Sequence, residues 1–372
     1  MKIARYELFH VRPRWLLLKI ETDQGLCGWG EPVLEGRAQT VAAAVQEMMR
    51  ELVGQDPRRI EHHWQTLYRG GFYRGGGILT SALSGIEQAL WDILGKHLRV
   101  PVHQLLGGRV RDRIRLYGWS KGEPTGDYIE NVKQSIERRE FTAYKLVPLP
   151  AMQAIENPAT VERIVETVAA VRALAGPEID LALDFHGRAS PAMAKLLARR
   201  LEPHQPFFIE EPVLPGDASA LLEVARSTTI PIAAGERLFT RWQFQELIER
   251  QAVAVVQPDL SHCGGLWEAR KIAALAEARN IAIAPHCPLG PVALAACLQL
   301  AACTPNFLIQ EHVTLGEGLL TEPFQVVAGH VAVPEKPGLG IEVDEAAVRA
   351  RAFAGDWRTP QFRLPDGSFA EW

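Results

Sequence analysis

Short apolar runs alternate with amphipathic segments from about residue 113 onward. Eight runs have the length of a buried parallel strand: Ile114–Tyr117, Tyr144–Val147, Leu181–Asp184, Phe207–Glu210, Ile230–Ala234, Val253–Gln257, Ile281–Ala284 and Phe307–Gln310. Helical candidates lie between them: Val161–Ala175, Ala192–Leu201, Ala218–Ala225, Trp267–Arg279 and Val292–Ala302. Alternation of this kind predicts a parallel α/β sheet, and eight strands favour a closed barrel.

The first hundred or so residues follow a different pattern. Ile3–Val11, Trp15–Glu21 and Leu26–Gly30 predict an antiparallel meander, and Thr40–Leu52 and Leu79–Leu98 predict two helices. We therefore expect an α+β capping domain at residues 1–112 and a barrel domain at residues 113–325.

The strand-helix rhythm stops after about residue 325. Val331–Pro334 and Ile341–Val343 predict short strands with a Pro-Gly-Leu-Gly turn between them. We expect this segment, residues 326–372, to return to the N-terminal domain and complete it.

Six polar residues recur at nearly the period of one strand-helix unit, with intervals of 26, 26, 23, 27 and 25 residues. They follow the apolar runs and are Asp184, Glu210, Glu236, Asp259, His286 and Glu311. In a parallel barrel the carboxyl ends of the strands meet at one face, where active sites are built. The spacing therefore predicts one acidic site from residues spread over the second half of the chain.

Asp184, Glu210 and Glu236 follow three consecutive predicted strands. Three carboxylates in one pocket repel one another unless a cation intervenes, and oxygen ligands of this kind suit Mg²⁺. Solvated or helix-capping acids are the simpler alternative. His186 lies two residues after Asp184, and side chains at that spacing share one face of a strand.

His286 and Asp259 follow neighbouring strands, so the carboxylate could fix the tautomer of the imidazole and raise its basicity. Lys145 on the second strand could neutralise a substrate carboxylate, and a protonated Glu311 could donate to a developing oxyanion. A structural His–Asp hydrogen bond, an exposed lysine and a solvated glutamate are the alternatives.

These groups suit removal of a proton next to a substrate carboxylate. One histidine would take the proton, while the cation would stabilise the negative charge that forms. A second histidine could protonate a leaving hydroxyl, which gives dehydration, or return a proton to the opposite face, which gives racemisation.

Composition limits the other functions. The net charge is −4, with 40 basic and 44 acidic residues. The sequence has no run of basic residues of the kind that would predict nucleic-acid binding. Apolar stretches fall short of the ~20 residues that cross a bilayer, and residues 1–13 have no apolar signal core. Five cysteines without a C-x-x-C pair are typical of reduced thiols. We therefore expect a cytoplasmic protein with no membrane or nucleic-acid partner, which forms a homo-oligomer.

The chain resembles the D-galactonate dehydratase family, in the mandelate racemase subgroup of the enolase superfamily, over nearly its whole length. Segments that carry the resemblance are Arg14–Trp15, Gly28–Pro32, Tyr68–Gly76, Leu183–Arg188, Phe208–Pro212, Ala234–Arg237, Gln257–His262, Ala284–Pro291 and Glu371–Trp372. The resemblance implies a modified (β/α)₇β TIM-type barrel under an α+β capping domain. It also implies a Mg²⁺-dependent hydro-lyase that converts a sugar acid, with D-galactonate the best single candidate, to a 2-keto-3-deoxy acid.

The resemblance implies a role for each site residue. Mg²⁺ would be bound by the acids Asp184, Glu210 and Glu236. His286, assisted by Asp259, would take the C2 proton, and His186 would protonate the departing C3 hydroxyl. Glu311 would stabilise the enolate. Substrate would contact Lys145, Arg14, Trp15 and Tyr73, the last on a glycine-rich loop, Arg69–Gly77, that closes over it.

One position departs from the family pattern. Racemases of the subgroup have a second lysine two positions after the strand-two lysine, and galactonate dehydratases have asparagine there, whereas this chain has Val147. Valine can neither accept a proton nor donate a hydrogen bond, so a lysine-based racemase is disfavoured and the particular sugar acid stays open. A two-histidine racemase or epimerase, and a catalytically silent binding relative, remain the alternatives.

Overall fold

The structure, a computed structural model, describes residues 1–119 and 128–372. Its N-terminal part begins with an antiparallel sheet of three strands in chain order. These strands are β1 (Ile3–Val11), β2 (Trp15–Thr22) and β3 (Cys27–Gly30). The predicted meander is confirmed, with small differences at the strand ends.

Four helices complete this part of the chain: α1 (Ala38–Leu52), α2 (Ile60–Arg69), α3 (Gly77–Leu98) and α4 (Val102–Leu105). The long helix α3 packs against β3, where a Cβ on Gly30 would lie 1.8 Å from the carbonyl oxygen of Gly85. Only glycine permits this approach. Sequence patterning missed α2, whose buried face is limited to Ile60, His63 and Trp64.

The barrel strands are short, parallel and ordered as they occur in the chain. After β4 (Arg113–Arg115), they are β5 (Gly118–Trp119), β6 (Ala143–Leu146), β7 (Asp180–Asp184), β8 (Phe208–Glu210), β9 (Ile232–Ala234), β10 (Val255–Val256) and β11 (Ala282–Ile283). The eighth predicted run closes the ring through parallel bridges from Phe307 to Ile283 and from Gln310 to Leu116. The TIM-type barrel is therefore confirmed.

Helices alternate with these strands: α5 (Tyr128–Glu137), α6 (Pro158–Ala175), α7 (Pro191–Leu201), α8 (Ala218–Arg226), α9 (Thr240–Arg250), α10 (Leu266–Glu277) and α11 (Pro291–Cys303). Asn157 and Ser190 cap α6 and α7, each followed by proline at the first helical position. Of the helices that the structure describes, none has the length and apolarity to cross a bilayer.

Two predictions about the strands need correction. Only the second half of the predicted first strand, Ile114–Tyr117, joins the barrel, through Leu116 and Tyr117, because Arg113–Arg115 pairs antiparallel with β12 (His330–Ala332). The predicted strand Val331–Pro334 therefore runs beside the start of the barrel and does not return to the N-terminal sheet. The alternation of apolar residues in this segment predicted an extended strand. It could not predict which strand pairs with it, because pairing depends on a distant segment.

Later residues of the C-terminal segment do reach the N-terminal part. Beyond β12 the chain forms α12 (Glu345–Ala350) and a small hairpin of β13 (Phe362–Arg363) and β14 (Phe369–Ala370). Ala352 bridges Val11 on β1, and Arg349 forms an ion pair with Glu7.

The barrel interior contains an apolar layer, to which each of the eight segments around the barrel contributes one residue. It consists of Tyr117, Ala143, Ala182, Phe208, Ala233, Val255, Ala284 and Ile309. Side chains two residues further along a strand point to the same side. The chain order therefore places Trp119, Lys145, Asp184, Glu210, His286 and Glu311 beyond the apolar layer, toward the carboxyl ends of the strands.

Buried carboxyl groups from the N-terminal part cap two barrel helices. Glu31, after β3, accepts from the backbone N–H groups of Gly290 (2.6 Å) and Ala293 (3.0 Å) at the start of α11. Glu87 on α3 accepts from Leu266 (2.8 Å) and Trp267 (2.9 Å) at the start of α10. Burial raises the pKa of each carboxyl to about 7, although the backbone donors oppose the shift.

We expect Glu31 to make the stability of the protein depend on pH. The unfolded chain releases this proton near pH 4.5 and the folded protein near pH 7, so the free energy of unfolding falls as pH rises through that window. Relative to Glu31→Gln, which cannot ionise, the wild type should lose about 2.5 kcal/mol of unfolding free energy between pH 5 and 8 in urea unfolding. Glu47→Gln, an exposed change on α1, should parallel the wild type. A difference between wild type and Glu31→Gln that does not vary with pH would contradict the expectation.

Candidate active site

Three acidic side chains converge at the carboxyl ends of neighbouring strands. Asp184 ends β7 and Glu210 ends β8, and the two are paired in the strand ladder. Glu236 follows β9 after Gly235, whose φ of +134° lets the chain turn toward the other two acids. One oxygen from each carboxyl group lies within 4.8 Å of the others.

The donor set fits a hard divalent cation. Oε2 of Glu210 and Oε2 of Glu236 are buried and accept no hydrogen bond from the residues that the structure describes, so each is available as a ligand. Burial and the nearby charge of Asp184 raise the pKa of Glu210 well above its usual range. A cation bound among the three groups would relieve this penalty.

Lys145 supplies the positive charge within this layer. Its Nζ lies 3.0 Å from Asp184 Oδ2, 2.5 Å from Glu210 Oε1 and 3.1 Å from Glu311 Oε1, and the side chain is buried. Burial alone would raise the pKa of Asp184, but His186 and Lys145 outweigh it and lower that pKa. The sequence interpretation of Lys145 as a contact for a substrate carboxylate is compatible with its place in the cavity wall.

Glu311 connects Lys145 to two further groups. Its Oε1 accepts from Trp119 Nε1 (2.9 Å), and its Oε2 accepts from the Cys287 backbone N–H (2.9 Å). Burial favours the protonated acid, but the charges of Lys145 and His286 outweigh it and lower the pKa of Glu311. In this arrangement the carboxyl is therefore ionised, whereas donation to an oxyanion requires a proton on it.

His286 is oriented by Asp259. Nδ1 of the imidazole lies 2.8 Å from Asp259 Oδ2, and Nε2 lies 3.4 Å from Glu236 Oε2. Burial would raise the pKa of Asp259, but His262 and His286 outweigh it and lower that pKa. Because the ionised carboxylate can only accept, Nδ1 carries the proton and Nε2 faces the acids. Burial would lower the pKa of His286, but Glu236 and Glu311 raise it well above its usual range.

His186 lies at the other end of the acidic group. Its Nε2 is 3.0 Å from Asp184 Oδ2, and its backbone φ of +51° is left-handed. Burial would lower the pKa of His186, but the charge of Asp184 outweighs burial and raises it. The structure thus brings both predicted histidines into contact with the predicted metal ligands.

A cavity of about 940 Å³ opens above these groups. Of the predicted substrate contacts, Lys145 and Arg14 line it, and so does Val147. Arg14 also pairs with Glu35 (2.6 Å) and donates to the Pro288 carbonyl (3.1 Å), which links the first two strands to the loop after His286.

The structure does not bring Trp15 and Tyr73 into the cavity wall. Trp15 begins β2 opposite Val11 and is buried in the hydrophobic core, 6% exposed. Tyr73 lies between α2 and α3 and is 87% exposed. Arg14 lies in the turn between β1 and β2, whereas Trp15 is the first residue of β2 and packs in the hydrophobic core.

Sequence reasoning missed several residues of the cavity wall, among them Trp119, His262, His312 and Trp372. His262 lies between Ser81 Oγ (3.0 Å from Nδ1) and Asp259 Oδ2 (3.6 Å from Nε2), so it connects α3 to the His286 partner. The motif Gln257–His262 was recognised, but only its aspartate carried an evident chemical signal.

Comparison with known proteins gives the family. Residues 10–107 match the model of the mandelate racemase / muconate lactonizing enzyme N-terminal domain, and residues 127–347 match the enolase C-terminal domain-like model. Curated relatives named D-galactonate dehydratase are 51% identical in Ralstonia nicotianae and 50% identical in Variovorax paradoxus, with all of each chain covered.

Solved structures agree with these matches. A crystal structure of an enolase from Agrobacterium radiobacter, bound to sodium and L-malate, has a TM-score of 0.92 at 29% identity and covers all of both chains. A mandelate racemase/muconate lactonizing enzyme from Sulfitobacter has a TM-score of 0.91 at 34% identity, with 98% of this chain and 99% of that one covered. The chain therefore belongs to the mandelate racemase and muconate lactonizing enzyme family of enolase-like proteins.

Proposed function

We propose that this protein is a Mg²⁺-dependent hydro-lyase that dehydrates a sugar acid to a 2-keto-3-deoxy acid, with D-galactonate as the substrate. The observation that carries the proposal is the pair of histidines on one acid triad, His186 against Asp184 and His286 against Glu236. The full-length relatives named D-galactonate dehydratase support the substrate.

Asp184, Glu210 and Glu236 would hold the Mg²⁺, since each offers a buried oxygen that has no hydrogen bond within the described part of the chain. When bound, the cation would stabilise negative charge that develops on the substrate carboxylate and would offset the carboxylates that raise the pKa of His286. Lys145 and Arg14 line the same cavity and offer positive charge to substrate oxygens.

His286 acts as the base in this proposal. Its Nδ1 is held by Asp259, which leaves Nε2 to accept the proton from C2 of the substrate. As the C2–H electron pair moves toward the carboxylate, the C2–C1 bond gains double-bond character. Those electrons then form the C2–C3 double bond, and the C3–O bond breaks.

His186 acts as the acid. It gives a proton to the departing C3 hydroxyl, which leaves as water, and the enol that remains ketonises to the product. Glu311 remains a predicted catalytic residue, although its contacts favour positioning of Lys145, Trp119 and the loop at Cys287. Val147 lines the cavity with an apolar side chain, which disfavours a lysine-based racemase.

We also propose a capping domain of residues 1–112 completed by residues 326–372, in which β12 borders β4 at the start of the barrel domain, residues 113–325. The five cysteines are all free thiols, which supports a reducing compartment such as the cytoplasm. A homo-oligomer stays a prediction that sedimentation would test.

An isotope experiment should distinguish the proposed roles of His286 and His186. In D₂O with Mg²⁺ and D-galactonate, His286→Asn should lose both deuterium exchange at C2 and keto-acid formation, because nothing removes the proton. His186→Asn should lose keto-acid formation by about 10²-fold or more but keep slow exchange, because only the leaving-group acid is gone.

His62→Asn, an exposed change on α2, is the matched control and should behave as wild type. Wild-type activity in both site variants would show that the roles are wrongly assigned. Deuterium at C2 without any keto acid in the wild type would favour a racemase or epimerase.

Removal of the metal should abolish activity and lower stability together. A chelator should stop keto-acid formation, and Mg²⁺ at about 100 times its dissociation constant should restore it and add about 2.7 kcal/mol of stability. Glu210→Gln should lose both effects, whereas the exposed variant Glu246→Gln should keep both. A melting temperature of the wild type that does not respond to Mg²⁺, with no turnover on any sugar acid, would favour a silent binding protein.

A further inference from the structure

The C-terminal residues cross from the capping part of the molecule to the mouth of the barrel. Phe353 donates its backbone N–H to the His10 carbonyl (3.1 Å), and the Ala354 carbonyl accepts from Gln39 (2.8 Å). Further on, the Arg14 guanidinium lies 5.1 Å from the centre of the Trp357 ring. We call residues 353–372 the C-terminal strap.

The strap ends against His186. The ring of Trp372 lies 6.0 Å from the imidazole, centroid to centroid, with the planes tilted by 33°. Both side chains line the 940 Å³ cavity. The indole therefore forms part of the cavity wall beside the histidine that is proposed to protonate the leaving group.

A second contact ties the strap to the same loop. The Arg188 guanidinium lies 4.9 Å from the centre of the Phe362 ring and donates to the Leu149 carbonyl. Arg188 and His186 are separated only by Gly187, so two aromatic residues of the strap hold one short loop after β7.

The need for such a contact follows from the hydrogen bonds of the two histidines. Nδ1 of His286 is held by Asp259, which fixes the plane of that ring. Nδ1 of His186 is buried and has no hydrogen-bond partner among the described residues. With only Nε2 engaged, by Asp184, the His186 ring can rotate about that contact unless another group packs on it.

We propose that Trp372 is a positioning residue for His186: its indole packs on the imidazole and holds Nε2 in line with the C3 hydroxyl of the sugar acid. This inference rests on the proposed dehydration, in which His186 is the leaving-group acid. Trp372 does not contact the base, so its effect falls on C–O cleavage and not on removal of the C2 proton.

The test compares Trp372→Ala, Trp372→Phe and Phe369→Ala. Phe369 is 65% exposed in the same strap and contacts Arg363, so it is the matched control. With D-galactonate and Mg²⁺ in D₂O, Trp372→Ala should lower kcat for keto-acid formation by about tenfold or more while C2 exchange stays within about twofold. Trp372→Phe should recover most of the loss, and Phe369→Ala should match the wild type.

An equal fall of exchange and dehydration in Trp372→Ala and Trp372→Phe would overturn the proposal, because it would mean that Trp372 only supports folding. No change in either rate would also overturn it. Circular dichroism identifies a variant that fails to fold, in which case Trp372→Phe decides between these outcomes.

A second measurement is independent of turnover. In protein with ¹³C-labelled histidine, the His186 ring signal, assigned with His186→Asn, should shift in Trp372→Ala, and the His286 signal should not. An unchanged His186 signal overturns the contact. If the wild type forms no keto acid but the His186 signal shifts, the proposed function fails while the positioning contact is supported.

Discussion

The barrel depends on balanced charge in a layer that water does not reach. Asp184, Glu210 and Glu311 are fully buried around the single ammonium of Lys145. Buried charges are tolerated only when they are paired, and one cation cannot neutralise three carboxylates. Two of these acids, Asp184 and Glu210, also belong with Glu236 to the group whose oxygens lie close enough to hold a cation, and the apolar layer lies beneath them in the barrel.

The N-terminal part of the molecule is joined to this layer by polar contacts as well as by apolar packing. Glu31 and Glu87 satisfy the first N–H groups of α11 and α10, which flank the His286 strand, and Arg14 donates to the Pro288 carbonyl. Free N–H groups at a helix start need acceptors when they are buried. Because the acceptors come from the capping part, a shift of that part would move the loop that carries His286, the proposed base.

The periodic part of the architecture could be predicted from the sequence, because one strand and one helix fill a nearly constant length of chain. That regularity predicts the positions of Asp184, Glu210, Glu236, Asp259 and His286 at the strand ends. Pairing with distant segments could not be predicted, which is why the strand at Val331 was assigned to the wrong neighbour. The same limit applies to contacts such as Ser81 with His262 and His186 with Trp372, since nothing local in either segment specifies the other.

The two histidines differ in what holds them, and this difference suits different tasks. In the proposed base, His286, the hydrogen bond from Nδ1 to Asp259 fixes the tautomer, so Nε2 is the nitrogen that would exchange a proton with the substrate. The proposed acid, His186, is held by Asp184 through Nε2, and its Nδ1 has no hydrogen-bond partner among the described residues. Orientation of His186 must then come from packing, which the aromatic end of the strap supplies. The two histidines on one acidic cluster are therefore held in different ways, His286 by a hydrogen bond at Nδ1 and His186 by packing.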